Sequence, residues 1–116
     1  MDFQEMPEEE VIEIANSMMD NLMDASTSID HERHTQDFTE RLKNIVTKEH
    51  LNTVCEQYQK EKGFFAERNL IAVLRRPNSA MIIWKQKFTK VSGEYLAEMI
   101  IVHKNNKFLI DHTWVI

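Results

Sequence analysis

The hydrophobic pattern changes its period once along the chain, near Gly63. Before this glycine, apolar residues recur every three or four positions, which is the spacing of one face of an α-helix. After it, they form short runs separated by turn residues, as β-strands do. The pattern therefore predicts helices in the first part of the chain and strands in the second.

Three helices are predicted before Gly63. Pro7 and the three glutamates after it suit the start of a helix over about residues 7–25. One face of this helix is apolar and consists of Val11, Ile14, Ala15, Met18, Leu22 and Ala25. A shorter second helix is marked by the apolar residues Phe38, Leu42, Ile45 and Val46. A third is predicted to begin near Thr47 and to end near Gly63.

Three turn signals, "RRPNS", "KVSGE" and "KNNK", divide the remaining residues into strands. The predicted strands cover about residues 64–75, 80–90, 94–104 and 107–116. Because the connections are short, sequential antiparallel pairing is favoured. The sequence thus predicts the α+β class, with three N-terminal helices packed on a four-stranded antiparallel meander sheet. A chain of 116 residues suits one core, so residues 1–116 are expected to form a single domain.

Turn geometry predicts how the strands pair. A two-residue turn at residues 105–106, together with a three-residue turn that ends at Gly93, places Trp84 opposite Ile100. One sheet face then gathers a few polar groups among apolar ones, which is typical of a ligand pocket. The predicted pocket residues are Trp84, Gln86, Glu98, Ile100, Asp111 and Thr113.

Two carboxylates stand out in this predicted pocket, Glu98 and Asp111. A diagonal spacing of about 7–8 Å in apolar surroundings favours a raised pKa and makes them candidate catalytic acids or bases. The alternative is that both accept structural hydrogen bonds, as most buried polar groups do.

The strand interiors "LIAVL", "MIIW" and "MIIV" are apolar at consecutive positions, so both faces of the sheet require cover. Three helices can cover one face only. A homodimer formed sheet to sheet is the simplest way to cover the other. The predicted register offers four residues for this dimer face: Met99, Ile101, His112 and Trp114.

The charges are distributed unevenly: residues 1–32 carry ten acidic side chains and no Lys or Arg. The acidic first helix could dock a basic partner, or it could simply face water. No nucleic-acid partner is expected, because basic residues are not interleaved with aromatic ones.

Several functional classes lack their sequence signatures. Cys55 is alone, so no disulfide is expected, and no Cys/His framework suggests a metal or a cofactor. With only Gly63 and Gly93, the chain has no phosphate-binding loop or serine-hydrolase elbow. Neither a secretory leader nor a membrane-spanning segment is recognised, so a cytoplasmic protein without a membrane partner is expected.

The final hairpin, "YLAEMIIVHKNNKFLIDHTWVI", and the order of helices before a curved sheet resemble the nuclear transport factor 2-like superfamily of cystatin-like α+β cones. Members often end in a strand, a short Asn/Asp/Gly turn, a lysine-aromatic pair and a last strand. The lack of a strand pair between the first helices resembles the short bacterial members. The resemblance implies a frequent dimer and a conical pocket, but no particular reaction.

Two functions are carried forward. The favoured one is a non-catalytic homodimeric domain that binds a small apolar ligand or a protein partner. The alternative is a small-molecule isomerase, cyclase or dehydratase in which Glu98 or Asp111 acts as the general base.

Overall fold

The computed structural model describes residues 1–116 and contains four α-helices and one four-stranded sheet. The elements are α1 Glu8–Thr27, α2 His31–His34, α3 Glu40–Ile45, α4 Lys48–Lys62, β1 Phe65–Arg75, β2 Ala80–Phe88, β3 Tyr95–Lys104 and β4 Lys107–Val115. A short 3₁₀ helix, Phe3–Glu5, precedes α1. The α+β class is confirmed, and so is the antiparallel meander, because the strands lie in the order β1-β2-β3-β4.

The predicted number of helices is wrong by one, because α2 forms within the polar segment after α1. Asp30 caps this short helix by accepting a hydrogen bond from the Arg33 N–H group at 3.2 Å. The next two helices start in the same way. Thr39 accepts from the Leu42 N–H group and Thr47 from the His50 N–H group, which satisfies donors that a helix start otherwise leaves free.

The core lies between α1 and one face of the sheet. Ala15 and Met19 of α1 are fully buried against strand residues such as Ile82 and Met99, which are also fully buried. We call this sheet surface the covered face. Every second residue of β2 lies on the covered face, and all of these residues are buried: Ala80, Ile82, Trp84, Gln86 and Phe88.

The connection from β2 to β3 is fixed by contacts with the chain that enters β1. The backbone N–H groups of Thr89 and Lys90 donate to carbonyl oxygens within residues 62–64, both at 2.9 Å. This approach is possible because Gly63 has no side chain: an added Cβ atom would lie 2.4 Å from the Thr89 hydroxyl oxygen. Residues 89–90 are therefore not available to pair with β3.

The predicted register between β2 and β3 is wrong for this reason. Trp84 lies opposite Ala97 rather than Ile100, a shift of three residues. Because side chains alternate between the two faces of a sheet, an odd shift moves every predicted neighbour to the other face. Gln86 and Glu98, predicted to lie side by side, are separated in this way.

The register between β3 and β4 is confirmed from the turn as far as Ile101 and Ile110. Asn105 and Asn106 both have positive φ angles, 53° and 62°, as a tight two-residue hairpin turn requires. Beyond Ile110 a β-bulge leaves Asp111 without a partner on β3. The pairing predicted for the rest of the hairpin is therefore wrong by one residue.

The bulge has a cause in the segment before α3. The Ile110 N–H group donates to the Asp37 carbonyl oxygen at 2.7 Å, and the Thr39 N–H group donates to the Ile110 carbonyl oxygen at 3.0 Å. These bonds form a short parallel bridge on the outer edge of β4. They hold Ile110 and Asp111 from the side opposite β3, and the strand resumes its pairing one residue later.

Candidate functional site

The structure disperses the residues of the predicted pocket. Three of them, Trp84, Gln86 and Thr113, lie on the covered face, whereas Glu98 and Ile100 lie on the opposite face. Asp111 lies in the bulge at the edge of the sheet. The predicted grouping of these side chains in one apolar pocket is therefore wrong.

Trp84 is a core residue. Its side chain is 1% exposed, and its indole Nε1 donates a hydrogen bond to Asn16 Oδ1 of α1 at 3.0 Å. The guanidinium carbon of Arg68 lies 5.3 Å from the centre of the ring. The same Arg68 also pairs with Asp20 of α1 at 2.7 Å. These contacts join α1 to the first two strands and leave Trp84 no access to a ligand.

Gln86 is fully buried and serves the backbone of the sheet. Its Nε2 donates to the carbonyl oxygens of Ala66 at 3.1 Å and Lys87 at 2.8 Å. Ala66 lies where β1 departs from regular pairing with β2, so the amide supplies hydrogen bonds that the ladder lacks there. This geometry gives Gln86 a structural role in the irregular start of β1.

Asp111 joins β4 to the segment around α3. Its Oδ1 accepts hydrogen bonds from the Thr39 hydroxyl at 2.7 Å and from Arg41 Nε at 3.2 Å. Arg41 also donates to the Asp111 carbonyl oxygen. Partial burial acts to raise the pKa of Asp111, but the bonds from Thr39 and Arg41 and the charges of Arg41 and Lys104 outweigh it and lower the pKa. An ionised, hydrogen-bonded carboxylate of this kind holds a strand edge in place.

We expect Asp111→Asn to lower the free energy of unfolding by about 1 kcal/mol at pH 7, because Thr39 and Arg41 lose an ionised acceptor. A lowered pKa stabilises the fold above the ordinary pKa of an aspartate, and this contribution is lost as the pH falls through the lowered value. Urea unfolding at pH 7 measures the loss. Asp24→Asn, which alters the exposed pair with Arg33, is the control and should cost less; equal losses would contradict the proposed role of Asp111.

The four residues predicted for the dimer face fall into two groups. Met99 and Ile101 are fully buried in the core, so their prediction as dimer contacts is wrong. His112 and Trp114 lie on the sheet surface opposite the covered face, where Trp114 is 55% exposed. The bulge at Asp111 explains the split, because it exchanges the faces of all β4 residues that follow it.

We call this opposite surface the open face. None of its residues in β2, β3 and β4 is buried, whereas most residues of the covered face in β2 and β3 are buried. Its large apolar side chains come from all four strands: Leu74, Met81, Ile83, Leu96, Ile100, Val102, Leu109 and Trp114. An apolar surface of this extent is a feature of interaction sites.

A polar pair lies in the middle of the open face. His112 Nε2 and Glu98 Oε1 are 2.9 Å apart, and the two side chains are 39% and 20% exposed. Glu98 lies between Ile83 of β2 and Trp114 of β4, and His112 lies beside Ile100. The sequence pattern does not predict this contact, because without the bulge His112 and Glu98 fall on opposite faces.

A concave surface of mixed charge lies at the tip of the β3–β4 hairpin. It is an open cleft of about 980 Å³ between α1, residues 36–43 and the hairpin. Its charged lining consists of the basic residues Arg41, Lys43, Lys104 and Lys107 and the acids Glu13, Asp37 and Glu40. Because Arg41 is paired with Asp111, the remaining three lysines and three acids give the cleft no marked preference for one sign of ligand charge.

Cys55, the only cysteine of the chain, is buried in the interior. The Cys55 thiol is 1% exposed and lies 3.2 Å from the Ser26 hydroxyl, and burial raises the pKa of Cys55. A thiol of this kind packs as a small hydrophobe rather than reacting.

No three His, Cys, Asp or Glu side chains are arranged to hold a metal ion. No helix has the length and apolar character needed to cross a membrane.

Comparison with known proteins places this arrangement among solved structures of small α+β domains. A SEC-C motif containing protein from Rhodopseudomonas palustris superposes with a TM-score of 0.61 at 9% identity, over 85% of this chain and 76% of that one. A DUF4783 family protein from Bacteroides uniformis gives 0.52 at 10% identity, over 83% and 93% of the two chains. Identities this low show a shared fold only.

A third similar structure is Bd1075 from Bdellovibrio bacteriovorus, with a TM-score of 0.53 at 7% identity; 89% of this chain covers 39% of that larger one. No family model matches the chain. No curated protein sequence matches it either. The fold is therefore the one property that these comparisons extend to this protein.

Proposed function

We propose that the protein is a non-catalytic homodimeric interaction domain whose two copies associate through the open face. The observation that carries this proposal is the apolar surface that no helix covers. Its centre contains large aliphatic side chains such as Met81, Ile83 and Ile100, which lie beside one another on adjacent strands. A second copy of the same surface would remove them from water, and burial of apolar area is the main driving force of association.

The size of the open face supports a pair of copies. Four strands about 4.8 Å apart, nine to eleven residues long at about 3.3 Å per residue, give it a projected area of about 600 Å². Two such faces bury about 1,200 Å² together, which is the lower end of the range for stable complexes. A two-fold axis places the same patch on both sides of the interface, so one surface suffices.

We also propose membership of the nuclear transport factor 2-like superfamily. Support comes from the order of the elements and from the packing of α1 on one face of a meander sheet. In this protein the space between α1 and the sheet is filled by Trp84 and the methionines around it. A ligand-filled cone is therefore not part of the proposal.

The catalytic alternative has lost its geometric support. It requires Glu98 and Asp111 in one apolar pocket, whereas Glu98 lies on the open face and Asp111 pairs with Arg41 at the sheet edge. The interaction domain accounts better for where these carboxylates lie.

We expect Ile100→Asp to weaken dimerisation at least about tenfold, because a charge placed on the seam must lose its water without a partner. Sedimentation velocity over a concentration series at pH 7 measures the dissociation constant. Val54→Asp, which places the same charge on an exposed apolar position of α4, is the matched control and should leave dimerisation unchanged. A wild-type protein that stays monomeric at about 100 μM would contradict the proposal.

A further inference from the structure

We infer that the Glu98–His112 pair makes the dimer proton-linked, so that association through the open face strengthens as the pH falls from 8 to 6. This inference rests on the proposed dimer and names the regulation of that interface. Its basis is the position of the pair, which is the one charged contact in the interior of an apolar surface.

The pair lies in the middle of the open face along the strands, and across the sheet it spans the inner strand β3 and the edge strand β4. Glu98 belongs to β3, an inner strand, and its row across the sheet contains Ala72, Ile83 and Trp114. The row on one side of it includes Met81 and Ile100, and the row on the other side includes Lys85 and Leu96. The two-fold axis of an isologous interface passes through the patch, so residues near the centre of the patch lie close to their own copies.

The charge of this centre depends on the histidine. When the imidazole is neutral, each copy brings one uncompensated carboxylate to the seam, and the two carboxylates repel each other in a medium that has lost its water. When the imidazole is protonated, Nε2 donates to Glu98 Oε1 as a charged group, and the centre is neutral in each copy. Histidine side chains exchange their proton between pH 5 and pH 8.

The other charges around the pair have counter-ions of their own. On β2, Lys85 pairs with Glu94 at 2.7 Å and Lys87 pairs with Glu67 at 3.2 Å. On β4, Asp111 pairs with Arg41. The part of β1 beside the pair places only Ala72 and Leu74 on this surface. Glu98 and His112 are therefore the charged partners on this part of the open face that have no counter-ion besides each other.

Buried histidine elsewhere does not imitate this effect. His34 lies in the interior, and burial lowers its pKa to about 4, with the charge of His31 acting in the same direction. It remains neutral throughout the range from pH 8 to pH 6. The charge of His34 in the folded protein therefore does not change over the interval in which dimerisation is compared.

The test is the dimer dissociation constant at pH 8 and pH 6, measured by sedimentation velocity for the wild type, Glu98→Gln and His112→Gln. We expect the wild type to dimerise about tenfold more tightly at pH 6, which corresponds to relief of one repulsion between carboxylates across the seam. Glu98→Gln should dimerise well at pH 8 and no more tightly at pH 6, because a protonated His112 then has no carboxylate to neutralise. His112→Gln should dimerise weakly at both pH values. Circular dichroism verifies that each variant is folded.

The outcomes separate this inference from the proposed function. A wild-type dissociation constant that does not change with pH would overturn the inference while leaving the dimer in place. A pH dependence retained in both variants would overturn it as well, because another group would then be responsible. Monomers at both pH values would overturn the dimer and the inference together. His103→Gln is the control, since His103 packs against Phe108 near the hairpin tip and should retain the wild-type response.

Discussion

Replacing Trp84 by alanine is expected to lower the free energy of unfolding by about 4 kcal/mol, because the indole is the largest fully buried side chain of the core. The loss combines the removal of apolar area with the cavity left behind. It also leaves the side-chain oxygen Oδ1 of Asn16 without its donor at 3.0 Å and removes the ring beneath the Arg68 guanidinium. Urea unfolding followed by circular dichroism measures the change.

Trp114 provides the matched control for this substitution. It is the only other tryptophan and is 55% exposed on the open face, so Trp114→Ala should cost less than about 1 kcal/mol in the monomer. Both unfolding curves are compared at a protein concentration below the dimer dissociation constant, so that association does not contribute. Similar losses in the two variants would contradict the assignment of Trp84 to the core and of Trp114 to the surface.

The elements that the sequence predicts well are those with a local cause. The start of α4 follows from Thr47, whose hydroxyl caps the first turn, and its end follows from Gly63. The tight turn follows from Asn105 and Asn106, two residues that tolerate positive φ angles. Such features depend on a few adjacent residues, and the pattern along the chain contains them. The additional helix α2 depends on a local cap as well, at Asp30, but its four residues are too short to show a periodicity.

The candidate site could not be predicted with the same success, because it depends on contacts between distant segments. The pairing of β2 with β3 is shifted by bonds from Thr89 and Lys90 to residues 62–64. The face of His112 is decided by the bulge at Asp111, which Thr39 and Arg41 hold from outside the sheet. A single odd shift exchanges the two faces, so an accurate strand prediction can still give a wrong site.

The dimer prediction has one part that is independent of how the strands pair and one part that depends on their pairing. Consecutive apolar residues in β2 and β3 require two buried faces whatever the register, so the expectation of an uncovered apolar face does not depend on pairing. The residues that occupy that face do depend on it. Met99 and Ile101, which the sequence predicts for the dimer face, belong to the core. Ile83 and Ile100 lie on the open face instead.

The second large effect is expected on acidification, where His34 should cost the fold about 2 to 3 kcal/mol between pH 7 and pH 4.5. Burial against α1 and the nearby charge of His31 lower the pKa of His34 from its ordinary value of 6.5 to about 4, and the ring packs edge-on to Phe38. Its Nδ1 has no hydrogen-bond partner, so a proton placed there is not stabilised by an acceptor. The neutral ring therefore favours the folded state.

The sign of the effect follows from linkage. Below pH 6.5 His34 becomes protonated in the unfolded chain, but in the folded chain it stays neutral until the pH falls to about 4. Acid therefore shifts the equilibrium toward unfolding between these two pH values. Stability from this residue is complete above pH 6.5 and is lost progressively on the way down. Urea unfolding of the wild type and of His34→Gln at intervals of half a pH unit measures it, because carboxylates titrate equally in both proteins.

We expect the wild-type free energy of unfolding to fall more steeply than that of His34→Gln, by about 2 to 3 kcal/mol over the interval. The glutamine variant starts from a lower stability, so the comparison uses the difference in slope rather than the absolute values. His50→Gln, at an exposed position on α4, is the control and should retain the wild-type slope. Parallel curves for the wild type and His34→Gln would mean that His34 is protonated in the folded protein as readily as in the unfolded chain.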